Sequence, residues 1–216
     1  VRLKLFEFDI EFDRPGLLAS QQGSTLTLNI GPNSTGRIQG DTSDGDEEIF
    51  AKTIANGTVV VWSPEFNVEM GIAETNPFTG VDKIIVMGGG GIDTINLSGV
   101  QAGHGVKAVI SGGEGNDVIT GGGGADEISG DDGADIIHAD LGADIVRGGR
   151  DDDQLFGEGD ADALFGEEGK DSLDGGAADD TLAGGLGNDQ FIRSAGADLI
   201  DLGDAGSIDI ITGGGG

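Results

Sequence analysis

The sequence predicts an all-β chain built as a solenoid of short parallel strands. Three observations carry that expectation. Glycine supplies 44 of the 216 residues. From Gly112 a nine-residue period runs without a gap through Asp201. Within that period Asp and an aliphatic or aromatic residue each hold one fixed position. Positions this regular over ten cycles exclude a merely acidic, low-complexity tract.

The ten copies read GGEGNDVIT, GGGGADEIS, GDDGADIIH, ADLGADIVR, GGRDDDQLF, GEGDADALF, GEEGKDSLD, GGAADDTLA, GGLGNDQFI and RSAGADLID. Position six is always Asp: Asp117, Asp126, Asp135, Asp144, Asp153, Asp162, Asp171, Asp180, Asp189 and Asp198. Position eight is always apolar, from Ile119 to Ile200. Outside this run, 88–96 is an intact copy with Asp93 and is followed by a six-residue insertion. Residues 103–111 keep Ile110 but put Ala108 in the Asp slot, and 204–212 restores Asp209 and Ile211 after two extra residues. The chain begins at Val1 and closes on Gly213–Gly216, the opening of another copy, so it is expected to be a piece of something longer.

Nine residues suffice for a Gly-rich bend, where positive φ is needed, and a strand of about three residues with one side chain facing in. Two copies then make one coil of eighteen residues, and stacked coils make two parallel sheets. No coil buries its own apolar face, so stability propagates by stacking. One or two buried aliphatic side chains per copy cannot offset the entropy of ordering nine backbones. Repulsion between stacked Asp columns adds to the deficit.

Charge points to what closes that gap. The net charge is −29; residues 1–111 hold 14 acids and 7 bases, residues 112–216 hold 26 and 4. So acidic a surface excludes nucleic acid and anionic membranes as partners. No apolar run reaches the length of a membrane span, which argues against membrane insertion, and without Cys there are no disulfides or thiolate metal sites. Bend carbonyls and carboxylates are hard oxygen donors suited to Ca²⁺; Mg²⁺ demands stricter geometry, and two His are too few for Zn²⁺ or Cu²⁺ sites. Five bends on each edge leave four gaps per edge, hence about eight or more Ca²⁺ ions, or roughly +16.

The tandem copies resemble the RTX, or haemolysin-type, calcium-binding nonapeptide GGxGxDxUx. The resemblance implies a parallel β-roll, a right-handed β-solenoid, with each ion held between bends of successive coils. It implies a ligand role for the ten Asp above, for Asp93 and Asp209, and for backbone carbonyls near Gly113, Gly115, Gly122, Gly124, Gly133, Gly142, Gly149, Gly169, Gly176, Gly185 and Gly187. Departures fall at position four (Asp151, Asp160, Ala178), where the bend is expected to be strained, and at position two (Asp131, Asp140, Glu158, Glu167), where the acids either add ligands or face water. Arg193-Ser194 replaces the Gly pair and is expected to weaken the site beside Asp198.

Three segments follow: 1–36, an N-terminal β segment; 37–111, a degenerate and wider solenoid containing the copy at 88–96; and 112–216, the calcium-binding roll. In the first, Val1–Phe12 alternates with a phase slip and reads as a cap, or as a strand that pairs with a neighbouring domain or a second copy. Leu26, Leu28 and Ile30 alternate as a half-buried strand. In the second, Glu47 takes the Asp slot, Gly80–Ile84 echoes Gly91–Ile95, and Asn56-Gly57 joins Ile49–Ile54 to Thr58–Trp62 as a hairpin.

Catalytic signatures such as HExxH, GxSxG, Walker A and GxGxxG are missing, and His104 and His138 fall at variable positions expected to face solvent. The expectation is a non-enzymatic, calcium-dependent folding and stiffening module of a large bacterial extracellular or cell-surface protein: an adhesin, surface layer or filament. The alternative is the secretion and folding module of an RTX exoenzyme or toxin whose catalytic domain lies elsewhere.

Overall fold

The computed structural model describes residues 19–29, 48–54, 58–62, 80–101, 103, 105–203 and 208–213. They form strands β1 (Ala19–Gln22), β2 (Thr25–Asn29), β3 (Glu48–Ile54), β4 (Thr58–Trp62), β5 (Lys83–Gly90), β6 (Thr94–Gly99), β7 (Lys107–Glu114), β8 (Val118–Gly122) and β9 (Glu127–Asp132). The series continues with β10 (Ile136–Asp140), β11 (Ile145–Arg150), β12 (Gln154–Phe156), β13 (Ala163–Glu168), β14 (Ser172–Asp174), β15 (Thr181–Leu186), β16 (Gln190–Arg193), β17 (Leu199–Asp201) and β18 (Ile210–Gly213).

From β5 onward successive strands alternate between two sheets, ordered β1-β2-β5-β7-β9-β11-β13-β15-β17 and β18-β16-β14-β12-β10-β8-β6-β3-β4. This is the expected β-solenoid. One nonapeptide lays one strand on one sheet, and the next lays its strand on the other. In the roll the register advances by one coil of two repeats: Ile110, Ile128, Val146, Leu164, Leu182 and Ile200 stack in one sheet. Ile119, Ile137, Leu155, Leu173, Phe191 and Ile211 stack in the other. The strands of the first sheet run longer than three residues, as in β9, β11, β13 and β15, because inter-strand pairing continues into positions one to three of the next repeat.

The insertion at 97–102 widens the coil before the roll, so that Ile84 pairs with Ala108 and Ile95 with Ile119. Farther out, Leu26 pairs with Ile84 and Ile49 with Ile95, still in parallel. Each sheet then ends in an antiparallel partner: β1 against β2, and β4 against β3, the latter closing at Ile54 opposite Thr58 as the Asn-Gly signal predicts. Both sheets, and β7 itself, run straight across the change of charge near residue 111. The opening strand at 1–12, Ile30, Glu47, the hairpin turn at 55–57 and His104 lie outside the described residues.

Inside the wide coil the core is mainly apolar: Val81, Ile84, Val86, Ile95, Leu97, Val100, Val106, Ala108 and Ile110 are buried, with Asp93 the buried carboxylate among them. Inside the roll three alternate positions face inward instead, namely the Asp, the apolar residue two places on, and the first residue of the next repeat. The position-eight side chains from Ile119 to Phe191 are fully buried, so the roll has a one-residue-wide apolar spine flanked by carboxylates. Truncating a member of that spine is expected to cost about 2–5 kcal/mol. Leu155→Ala should therefore lower the urea midpoint measured in excess calcium far more than Leu141→Ala, whose side chain is exposed.

Candidate metal centres: two ladders of buried aspartates

Stacking places the position-six Asp residues in two columns, one along each edge. Asp93, Asp117, Asp135, Asp153, Asp171 and Asp189 form one; Asp126, Asp144, Asp162 and Asp180 form the other, and all ten are no more than 3% exposed. Each side chain reaches back one coil. In the first column the N–H of Asp93 donates to Asp117 Oδ1 at 2.7 Å, Asp117 to Asp135 at 2.7 Å, Asp135 to Asp153 at 2.8 Å, Asp153 to Asp171 at 2.9 Å and Asp171 to Asp189 at 3.0 Å. In the second the N–H of Ala108 donates to Asp126 Oδ1, and the series continues through Asp144, Asp162 and Asp180. Asp198 and Asp209 extend the columns with longer bonds of 3.3 and 3.1 Å, and both are only partly buried. Ala108 has no carboxylate but fills the Asp slot of the wide coil, as its place in the repeat predicts.

Oδ1 is thus committed to the backbone. Oδ2 is not: in Asp117, Asp135, Asp144, Asp153, Asp162, Asp171 and Asp180 it is buried without a hydrogen-bond partner. Asp126 differs, its Oδ2 accepting the Gly122 N–H at 3.0 Å. An orphaned buried carboxylate oxygen is costly. What faces it is another oxygen. A Cβ on Gly130 would collide with Asp135 Oδ2 and stand 2.7 Å from the Gly148 carbonyl oxygen, one coil on. A Cβ on Gly148 or Gly166 would meet Asp153 or Asp171 and the carbonyl of Gly166 or Gly184 in the same way. Position-one glycine leaves room for two hard oxygens to converge between coils; at Ala139, also position one, a methyl is accommodated instead.

The glycines expected to contribute carbonyls occupy positions two and four of the bends. Nine of those eleven have positive φ, Gly122 and Gly124 being the exceptions. The carbonyls of Gly115, Gly124 and Gly169 occupy the space that a Cβ on Gly133, Gly142 or Gly187, one coil away, would take. Those of Gly122 and Gly176 already accept inter-coil N–H bonds from Leu141 and Ala195. Among the described residues no three carboxylate or imidazole side chains converge to chelate an ion. The available donors are therefore mixed, carboxylate Oδ2 plus carbonyls, and all oxygen. That set suits a hard cation of high coordination number.

The expected strain at position four is present: Asp151, Asp160 and Ala178 have φ of 72°, 71° and 88°. The position-two acids Asp131, Asp140, Glu158 and Glu167 are left-handed too, and Asp131, Glu158 and Glu167 bond across the outer surface. Asp131 accepts from Ser111 and Ser129, Glu158 pairs with His138 Nδ1 at 2.7 Å, and Glu167 lies 3.7 Å from Arg147. His138 does sit on the outer face, stacked on Phe156 at 4.6 Å between centroids. In the last of the ten copies Ser194, at position two, accepts the Gly176 N–H through its hydroxyl.

A family model for the RTX calcium-binding nonapeptide repeat matches five overlapping stretches, 109–137, 129–164, 138–173, 156–191 and 165–200. Residues 109–200 belong to the RTX calcium-binding nonapeptide repeat family. The RTX array makes this a calcium-binding structural module, and the buried Asp columns fit that assignment. Asp93 and Asp209 lie outside the matched residues yet continue the same ladder. No curated protein matches the chain.

Without a cation, burial favours the protonated form of the carboxyls inside the roll. Burial pushes the carboxyls of Asp153 and Asp162 up to about 8, Asp117 and Asp144 to about 7, and Asp126, Asp135 and Asp171 to about 6; the backbone N–H bonds oppose this and neighbouring carboxylates add to it. Because the folded pKa values exceed the unfolded value of about 4, the folded state binds protons that the unfolded chain has released. Calcium-free stability is therefore fully present below about pH 4 and declines as pH rises toward about 8. In chelator, β-sheet ellipticity should be larger at about pH 5.5 than at about pH 8, whereas saturating calcium should abolish or reverse that order.

Proposed function

We propose that this chain is a non-catalytic, calcium-dependent folding and stiffening module that serves a structural or adhesive role in a large extracellular protein. The observation that carries the reading is the pair of Asp ladders, in which Asp117, Asp135, Asp144, Asp153, Asp162, Asp171 and Asp180 each spend one oxygen on the preceding coil and leave the other buried without a hydrogen-bond partner. Calcium would be held by Asp Oδ2 and the bend carbonyls, and it would supply the positive charge that lets the columns stay ionised inside the roll. A ligand that binds only the folded state stabilises it by RT ln(1 + [L]/Kd) per site. At the affinities of about 10⁻⁴–10⁻³ M typical of extracellular modules, such sites stay empty in the cytosol and fill outside it. A chain exported unfolded would then stiffen on arrival.

Circular dichroism during a calcium titration, with magnesium as control, tests this reading. The expected outcome is a cooperative coil-to-β transition at submillimolar to millimolar Ca²⁺; a β spectrum indifferent to calcium would overturn it. Asp135→Asn, in the middle of a ladder, should raise the calcium midpoint more than Asp209→Asn at its end. Equal effects would count against cooperative stacking.

A further inference from the structure

One rung of the ladders is built differently from the rest. At position one, a Cβ on Gly112, Gly130, Gly148, Gly166 or Gly184 would meet Oδ2 of the Asp five residues on. At Gly121 it would meet the Ala139 carbonyl oxygen and the Ile128 side chain instead. Asp126 Oδ2 is turned to the Gly122 N–H, which it accepts at 3.0 Å, while Oδ1 accepts the Ala108 N–H at 2.6 Å. Both oxygens of Asp126 are thus spent on backbone donors. The two-oxygen cradle present at Gly130 lacks its carboxylate half at Gly121.

The cause is what this bend stacks on. On the other edge the bend at 112–115 lies against Gly89 and Gly91, so nonapeptide meets nonapeptide. The bend at 121–124 lies against the insertion of the wide coil. Its Gly123 N–H donates to the Val100 carbonyl at 2.7 Å, and its Gly122 carbonyl accepts the Leu141 N–H at 3.1 Å. A Cβ on Gly122 would stand 3.0 Å from the Val100 carbonyl oxygen and 3.1 Å from that of Leu97. One on Gly124 would collide with the Val106 carbonyl. The backbone is shaped accordingly: of the ten bends in the uninterrupted run, this is the one in which neither position two nor position four is left-handed.

We infer that Asp126, contrary to what its place in the motif implies, is a positioning residue and not a calcium ligand: it ties bend 121–124 to the wide coil, and the calcium sites of its edge begin at Asp144. This rests on the calcium reading above. A cation at Asp126 Oδ2 would have to displace the Gly122 N–H or lie against the positive end of its dipole. At Asp135 and Asp144 nothing donates to the buried Oδ2, which is open to an ion. The carboxylate of Asp126 instead links Ala108 of the wide coil to Gly122 of the roll's first coil. That edge of the junction is therefore closed by hydrogen bonds alone, and the two edges hold unequal numbers of ions. The first coil of the roll gains an anchor on the apolar solenoid that does not wait for calcium.

Crystals of the calcium-loaded chain test this directly, because the anomalous scattering of calcium locates each ion. The expected result is an ion in contact with Asp135 Oδ2 and the Gly148 carbonyl, another at Asp144, and none within about 2.6 Å of either Asp126 oxygen. An ion on Asp126, with others at Asp135 and Asp144, would overturn this inference alone. No ion at any of the three would overturn the calcium reading and this inference with it. In solution, Asp126→Asn should bind as many calcium ions at saturation as the parent chain, counted by calorimetry, whereas Asp135→Asn should bind at least one fewer. With calcium saturating, the Ala108 and Gly122 amides of Asp126→Asn should still exchange about tenfold faster than in the parent, the size expected for a lost hydrogen bond to a charged acceptor. Loss of an ion from Asp126→Asn, or unchanged exchange at both amides, would count against the assignment. The crystal result decides the matter even where that variant fails to fold.

Discussion

The hydrogen bond from a backbone N–H to Asp Oδ1 one coil away is the interaction on which the rest of the roll depends. It joins each bend to the next, beside the backbone hydrogen bonds that cross between coils at the bends. It also fixes the carboxylate inward, and this creates the electrostatic problem of the fold. A carboxylate drawn into the interior keeps only part of its hydrogen bonding, and the columns place like charges in succession along both edges. A cation is the economical solution, because it neutralises the charge and occupies the free oxygen in a single step.

The same bond explains why the core can be so thin. In the wide coil the inward slots carry Ile84 and Ala108, and the structure relies on packed aliphatic side chains. One coil later the corresponding slot is Asp126, and the core narrows to one apolar side chain per strand. The transition is made in register, with the Ala108 N–H already serving as donor to the first carboxylate of its column. The apolar portion can thus present a preformed edge to the portion that needs an ion. At the other end the columns reach Asp198 and Asp209 with longer bonds and greater exposure.

Glycine does two separate jobs along this array. At positions two and four it allows the left-handed backbone that brings bend carbonyls against the neighbouring coil, and several other residues accept that conformation. At position one φ is not the constraint. The missing Cβ is what matters, because Asp Oδ2 and a carbonyl oxygen occupy the space it would take. Substitutions in the natural sequence follow this division: acids and Ala178 at positions two and four, but small residues at position one through the buried part of the roll.

The period, the number of coils, the two-sheet stacking and the identity of the Asp columns were legible in the sequence, because a repeated backbone conformation writes the same residues at the same interval. The Asn-Gly hairpin and the inserted residues at 97–102 were legible for the same local reason. The direction of each Asp side chain was not. Its Oδ1 partner lies eighteen residues away in the regular coils, and that separation becomes a 2.7–3.0 Å contact only when the coil closes. The buried Oδ2, the glycine cradle, the His138–Phe156 stack and the antiparallel pairing of β1 with β2 likewise arise between coils or between strands. Local periodicity determined what the repeat is made of; coil closure decided which atoms are left for a cation.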